Sequence, residues 1–399
     1  MHAYIPYGAY WSTPFARWQG SLSHLHSMKF AAHVAKGALA DRRIDLGVFD
    51  FATYGITMHQ HRSFNGTPWV TAMMGAERLT GPTISQVCAT SARLVATAMG
   101  EMALGNAQVA LLMSGDRTSN AAHIYYPEPG NPGGTGDSEA LMFDNFMNDP
   151  FAKCAMVDTA ENVAQRFGIT TEEQHDLVAV RHDQYQAALA DDRAFQKRFM
   201  DAEFAVPDSK FRKTVKTLQG DEGVYPTTRE KMAGLKPMRE GGTVTYAGQT
   251  HPADGNCGIV MVADEGRARE LSPVSGGPTV RVIATGQGRE EKAFMPAAPI
   301  LAAKQALDRA GMTMDQVDVF KSHNPFAVND IAFARAYGLD WRTMNNYGCS
   351  LIWGHPQGPT GMRAIIEMIE ELEIRGGGVG LFQGCAAGDS GMAVLIDVR

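Results

Sequence analysis

Two distant stretches of this chain share one local grammar, and that repetition is the tightest constraint on its fold. The run Cys88-Ala89-Thr90-Ser91-Ala92 leads into a segment with apolar and small residues at helical spacing (Ala92, Val95, Ala96, Met99, Ala103). Gly105 stops it, as expected just past a helix end. The apolar run QVALLMSGD (108–116) then reads as a buried strand. Near the far end, a small-residue turn precedes Met362, Ile365, Ile366, Ile369 and Leu372, which mark one face of an amphipathic helix. Glycines 376–378 end that helix, and the strands VGLFQG (379–384) and GMAVLIDV (391–398) follow. Turn, helix, glycine, strand, twice over, indicates an internal duplication of long period. Alternation of strands and helices gives an α/β class.

Other elements fit around this repeat. Residues 28–40 read as a helix, 45–53 as a strand, and 81–87 as a short extended run ending at Cys88. The middle differs in character. Residues 119–150 are rich in Pro, Gly, Asn and Asp and read as loop. DTAENVAQRFG (158–168) is a short helix closed by Gly168. Thr170 to Glu173 form a capping-box pattern for a second helix that runs to about Leu189. Residues 205–243 read as mostly irregular. The whole of 119–243 is expected to be an insertion over the core.

Composition narrows the function. A length of 399 residues allows two or three domains, and 44% hydrophobic with 20% charged residues describes a soluble globular chain. A net charge of −7 argues against nucleic-acid binding. Five cysteines, far apart and without a CxxC pair, fit a reducing cytoplasm better than disulfides or a zinc site. The pairs His24/His26 and His59/His61 have no accompanying Cys or carboxylate cluster, so no metal is expected. The N-terminal residues lack the pattern of a signal peptide, and no apolar run is long enough to span a membrane.

Four residues could carry chemistry. Cys88 sits at a strand-to-helix turn among small side chains, where helix N–H groups would favour a thiolate or an oxyanion. His355 lies between Gly354 and Pro356, in a turn that would hold its imidazole. His323 and Cys385 each follow an apparent strand (317–322 and 379–384), and strand ends of α/β sheets often carry function. A nucleophilic Cys, a distant His and a second Cys are the parts for acyl transfer through a thioester.

With these residues in view, the chain resembles the thiolases from about residue 5 to its end. CATSA (88–92) is similar to the nucleophile motif, and MVDTAENVAQRFGITTEEQ to the signature of the inserted loop domain. GLKPM and GGTVT (234–245) resemble the stretch returning to the core. WGHPQGPTGMR resembles the Gly-His-Pro motif, and QGCAAGDSG the C-terminal Cys-x-Gly motif. The resemblance implies a thiolase fold: duplicated halves in a five-layered αβαβα core, with residues 1–118 and 244–270 as one half, 119–243 as the loop domain and 271–399 as the other half.

It also implies roles. Cys88 is the nucleophile that becomes acylated, His355 its base, and Cys385 the acid/base toward the leaving enolate and coenzyme A. His323 stands where many thiolases have the Asn of an Asn-Glu-Ala-Phe motif, as in sterol-carrier-type and some archaeal thiolases. His323 and His355 would serve a first oxyanion hole, and the N–H groups of Cys88 and Ala387 a second. Thr250 or His251 would replace a Ser near the coenzyme A arm. Coenzyme A is the implied co-substrate, with no metal or redox cofactor. A homodimer or a dimer of dimers is implied, and a small zinc-ribbon/OB-fold protein is a possible partner subunit.

The chain departs from the pattern in places. Ser91 replaces a Gly and is expected to narrow the pocket floor. Ala387 replaces a Gly and can donate only if its backbone does not need positive φ. Asp389 adds a charge beside that turn and reads as a turn residue. The loop 121–150 resembles no specificity loop of the family. These changes point to a 3-oxoacyl-CoA with a bulky, branched or aromatic acyl group, benzoylsuccinyl-CoA being one candidate. Three other readings stand beside it: a ketosynthase using Cys88, His323 and His355, a thiolase-fold aldolase, and a non-catalytic scaffold subunit. Aldolases of that kind typically lack the nucleophilic Cys.

Overall fold

A computed structural model describes residues 3–399. Three short strands come first, β1 (Ala3–Ile5), β2 (Tyr10–Ser12) and β3 (Ala16–Arg17). Then follow α1 (Ser27–Asp41), β4 (Phe51–Gly55), α2 (Thr67–Met74), β5 (Thr83–Ile84), α3 (Thr90–Ala103) and β6 (Val109–Arg117). The middle of the chain holds a hairpin of β7 (His123–Tyr126) and β8 (Asp137–Ala140), then α4 (Phe143–Met147), α5 (Met156–Phe167) and α6 (Thr171–Arg193). A second hairpin, β9 (Glu203–Pro207) and β10 (Thr214–Gln219), and α7 (Arg229–Ala233) complete it. The chain returns to the sheet with β11 (Ala253–Val262), α8 (Glu265–Glu270) and β12 (Val280–Arg289). Last come α9 (Ala298–Ala310), β13 (Val319–His323), α10 (Ala327–Tyr337), α11 (Ser350–Trp353), α12 (Gly358–Ile374), β14 (Gly378–Ala386) and β15 (Ser390–Val398).

The duplication is visible in the pairing. In one half, β4 runs parallel to β6, and β6 is antiparallel to β11. In the other, β13 runs parallel to β14, and β14 is antiparallel to β15. Helix α3 precedes β6 as α12 precedes β14. The halves join through β1, where Tyr4 pairs with Val262 of β11 on one side and with Arg281 of β12 on the other. Helices α3 and α12 touch each other and strands of both halves, so they form the middle layer. Helices α1 and α2 cover one outer face and α9 the other, which gives five layers, αβαβα.

Helix α12 differs from the expected one-sided amphipath. Every residue from Gly358 to Leu372 is buried, as a helix between two sheets must be. Its charged residues are therefore paired. Arg363 bonds Asp221 at 2.6 and 2.8 Å and Glu367 at 3.0 Å. Lys321 Nζ lies 3.4 Å from Glu367, and Arg181 bonds Asp330 at 2.9 Å. Arg181 and Asp221 come from the middle of the chain, so these pairs tie it to the core.

Local chemistry explains the remaining differences. Residues 46–48 form a 3₁₀ turn rather than strand, because the Asp45 carboxylate caps Gly47 N–H at 2.6 Å. Only Thr83–Ile84 of 81–87 pairs as strand. The loop 119–150 contains the β7–β8 hairpin and α4, and 205–243 contains most of the β9–β10 hairpin and α7. Regular α6 geometry ends at Leu189, since Ala190 has ψ 158°. Gly105 and Gly168 adopt φ 74° and 63°, the left-handed cap geometry that favours glycine.

Candidate active site

Cys88 stands between β5 and α3 on a tight turn. Ala89 N–H donates to Gln86 O at 3.0 Å, and Thr90 Oγ1 closes the turn on both sides, donating to Val87 O at 2.7 Å and accepting from Gln86 N–H at 2.9 Å. Val87 is held at φ 46°, a costly geometry for a β-branched residue, of order 1–3 kcal/mol. Such strain is kept only where the surroundings over-determine it. From this turn the Cys88 side chain reaches the start of α12, where Gln357 Oε1 lies 3.3 Å from its sulfur.

His355 meets it there. His355 Nε2 lies 3.1 Å from Cys88 Sγ, and Nδ1 lies 2.7 Å from Thr360 Oγ1. The turn carrying the imidazole is strapped to the lead-in of β11, with His355 N–H donating to His251 O at 2.9 Å. The His323 ring stacks on His355 at 4.1 Å and 23°. Sγ of Cys88 and the ring nitrogens of the two histidines lie within 4.8 Å of one another, a set that could also hold a soft metal ion.

His323 is held at one nitrogen only. Its Nδ1 lies 3.0 Å from Ser350 Oγ, which also accepts from Asn324 N–H at 3.0 Å. Leu351 N–H donates to Asn324 Oδ1 at 3.1 Å and fixes that side chain. His323 Nε2 is buried and without a protein partner. Burial pulls the His323 pKa down to about 3, so the ring is neutral.

Burial dominates the other groups too. It pushes the Cys88 thiol well above its ordinary value, with the nearby Cys385 adding to the rise. The N–H groups of Cys88 and Ala387 act against this and lose. The expected thiolate-favouring helix terminus is thus outweighed by desolvation. His355 is held well below its ordinary value, first by burial and then by His323. Both shifts favour thiol and neutral imidazole in the resting pair.

Cys385 lies behind this pair at the end of β14, fully buried. Asn329 Nδ2 lies 3.3 Å from its sulfur, and burial pushes its thiol up to about 12. The positive φ of the following turn falls on Gly388 (78°) and Asp389 (56°), not on Ala387. The Ala387 N–H is therefore free to face the Cys88 sulfur. Asp389 is a clamp for the neighbouring loop, accepting from Ala293 and Phe294 N–H at 3.0 Å each. Ser91 does not line the pocket. It is fully buried and donates to Gly358 O.

A cavity of about 300 Å³ opens over Cys88, His355 and Ala387. Its walls are mainly apolar and include Phe146, Met147, Met156, Met238, Met295 and Phe326. Thr250 and His251 also line it, but the Thr250 hydroxyl donates to Ser350 O at 2.5 Å and holds α11 rather than facing the cavity freely. His251 Nε2 is buried without a partner. The HxH pairs lie elsewhere, with His24 and His26 each bonded to a backbone carbonyl. Gln357, Thr360, Ser350 and Asn329 complete the site and were not singled out from sequence. Gln357 and Thr360 had one available signal, their place in the same turn as His355.

Comparison with known proteins places the chain in a family. Residues 9–265 match the family model "Thiolase, N-terminal domain", and residues 277–398 match "Thiolase, C-terminal domain". The chain is 27% identical to an acetyl-CoA acetyltransferase of Allochromatium vinosum, covering 95% of each. It is 26% identical to the beta-ketothiolase BktB of Cupriavidus necator, covering 96% of each. Human mitochondrial 3-ketoacyl-CoA thiolase in complex with CoA has the same fold, with TM-score 0.88 at 24% identity over 100% of this chain and 98% of that one. So has the acetyl-CoA acetyltransferase of Bacillus anthracis, with TM-score 0.89 at 22% identity over 100% and 99%. Fold and matches together define an α/β acyltransferase. The chain belongs to the thiolase family.

Proposed function

We propose that this chain cleaves a 3-oxoacyl-CoA with coenzyme A through an acyl group carried on Cys88, in the degradative direction. The observation that carries the reading is the 3.1 Å contact of His355 Nε2 with the Cys88 sulfur at the floor of an apolar cavity. His355 takes the Cys88 proton as the sulfur attacks the ketone carbon. The alkoxide that forms is held by the N–H groups of Cys88 and Ala387. The C2–C3 bond then breaks, and Cys385 protonates the departing enolate carbon. The enolate oxygen takes the proton now on His355 Nε2 as a hydrogen bond. Neutral His323, whose Nε2 has no protein partner, supports the same oxygen through a bridging water. Cys385 next deprotonates coenzyme A, whose sulfur attacks the Cys88 thioester; the bond from the acyl carbon to Cys88 breaks, the acyl-CoA leaves, and the Cys88 sulfur regains its proton from His355.

A ring of Met and Phe around the cavity supports an acyl group larger than acetyl, bulky or aromatic, with benzoylsuccinyl-CoA as a candidate. Thr250 and His251, on the same wall, are assigned to the coenzyme A arm. The domain division 1–118 with 244–270, 119–243 and 271–399 belongs to this reading, as do a cytoplasmic setting and a homodimer or dimer of dimers. A zinc-ribbon/OB-fold partner is tested by co-purification. No helix among the described residues is long and apolar enough to cross a membrane.

The stacked His323 and His355 beside Cys88 favour a second reading, a condensing ketosynthase. The two are separated by Cys385→Ala. Loss of thiolysis supports the thiolase cycle, and unchanged condensation without thiolysis supports the ketosynthase.

A further inference from the structure

Gln357, like Val87, lines the cavity with its backbone at positive φ. It has φ 64° and ψ −103° at the N-cap of α12, a conformation that a residue with a Cβ adopts at a cost. The position is pinned from both sides. Gly358 N–H donates to Asp116 Oδ2 at 2.9 Å, and Thr360 N–H donates to Gln357 O at 3.3 Å. The Cβ of any other residue at 358 would meet Ser114 Oγ at 2.7 Å and Asp116 Oδ2 at 2.8 Å, so the backbone passes close against β6 here. A glycine at 357 would relieve the strain. The chain instead carries a long carboxamide, and its Oε1 lies 3.3 Å from the Cys88 sulfur. His355 Nε2 lies 3.1 Å from the same sulfur. The carboxamide thus touches the atom that gives up the proton, beside the atom that receives it, in a mainly apolar cavity.

We propose that Gln357 is a further catalytic residue, whose carboxamide oxygen accepts the proton-bearing atom of the Cys88–His355 pair before and after proton transfer. In the resting pair the Cys88 S–H donates to Oε1 or to His355 Nε2. On attack, the proton moves from sulfur to Nε2, the sulfur–carbon bond forms, and Oε1 accepts from the new Nε2–H until the enolate oxygen forms and takes over that hydrogen bond. That second bond involves a charged donor and is the stronger one, so the carboxamide favours the reactive state over the resting one. The titratable groups facing the pair are His323 from β13, His251 ahead of β11, Asp116 from β6 and Cys385 from β14. None of these is altered by a change at Gln357.

This inference rests on the acyl-transfer reading, and its test separates the two. The full-length chain is compared with Gln357→Leu and Gln357→Gly. Three quantities are read: the rate of Cys88 alkylation by iodoacetamide against pH, the rate of acyl-adduct formation from acyl-CoA thioesters, and the thermal midpoint. The expected result is a fall of about tenfold in alkylation and acylation at pH 7 in both variants, with the alkylation profile displaced upward by about one pH unit. Gln357→Gly is expected to unfold at the same or a higher temperature, because its strain is gone, and it keeps the test valid if Gln357→Leu folds poorly. A purely structural Gln357 would give the opposite pattern, a changed midpoint with Cys88 reactivity within twofold of the parent, and that would overturn the proposal. If the parent chain forms no adduct with any thioester yet alkylation still slows in the variants, the acyl-transfer reading fails and the Gln357–Cys88 coupling stands.

Discussion

His355 Nε2 sits 3.1 Å from Cys88 Sγ while His355 Nδ1 is fixed 2.7 Å from Thr360 Oγ1. The imidazole is thus oriented at both nitrogens, and the residue that orients it lies one helical turn into α12. Burial holds the thiol above and the imidazole below their ordinary values, so the two are neutral together near pH 7 to 9. Alkylation of Cys88 by iodoacetamide should then rise about tenfold per pH unit from about pH 6.5 to 9. A rate already level below pH 7 would mean a resting thiolate–imidazolium pair and would contradict this electrostatic picture.

Cys88→Ala should abolish turnover with the fold intact. Cys385→Ala should still acquire an acyl group on Cys88, but thiolysis should slow by about 10²–10⁴-fold, the range for loss of a positioned acid/base. Stopped-flow thiolysis with circular dichroism of each variant checks both. Equal, near-normal rates in the two variants would contradict the assigned roles.

The buried histidines make stability depend on pH. A folded His323 pKa of about 3 lies below the unfolded value of about 6.5, so the unfolded chain binds the extra proton between those limits. Stability contributed by neutral His323 is present above about pH 6.5 and is lost as pH falls toward 3. Asp116 and Asp254, pushed up to about 7 and about 6 by burial, act in the opposite sense. The readout is therefore the difference between parent and His323→Asn. Its slope should be about 1.4 kcal/mol per pH unit between about pH 4 and 6, measured by urea unfolding. Parallel curves would show that the ring is not buried as a neutral base.

Asp221 accepts from Arg363, the Tyr185 hydroxyl and Phe15 N–H, and joins the middle of the chain to α12. Asp221→Ala leaves the fully buried Arg363 with only Glu367 as a charged partner. It should lower stability by about 3–5 kcal/mol, the usual cost of breaking a buried pair. Denaturant unfolding measures this, and a change below about 1 kcal/mol would show that the pair does not anchor the segment.

Much of the site was legible because its parts stand where local sequence changes character. Cys88 follows a strand, His323 and Cys385 stand in the last residues of theirs, and His355 sits between a glycine and a proline, so a change of local character marks each position. What sequence did not reveal are contacts made across long separations. Ser350 holds the His323 ring from 27 residues away, and Asn329 reaches Cys385 across 56. The all-round burial of α12 was hidden by its charges, since Arg363, Glu367, Glu370 and Glu371 read as a solvated face until their partners are known. Asp45 turned an apolar stretch into a 3₁₀ turn through one side-chain bond, a competition that strand periodicity does not register.

The central claim is that Cys88 carries the acyl group. Intact-protein mass spectrometry after mixing the chain with a panel of acyl- and 3-oxoacyl-CoA thioesters, without free coenzyme A, tests it most directly. The account predicts a mass gain that maps to Cys88, is largest for a bulky or aromatic acyl group, and disappears on adding coenzyme A. An adduct on another residue, or none across the panel in a folded chain, would contradict it.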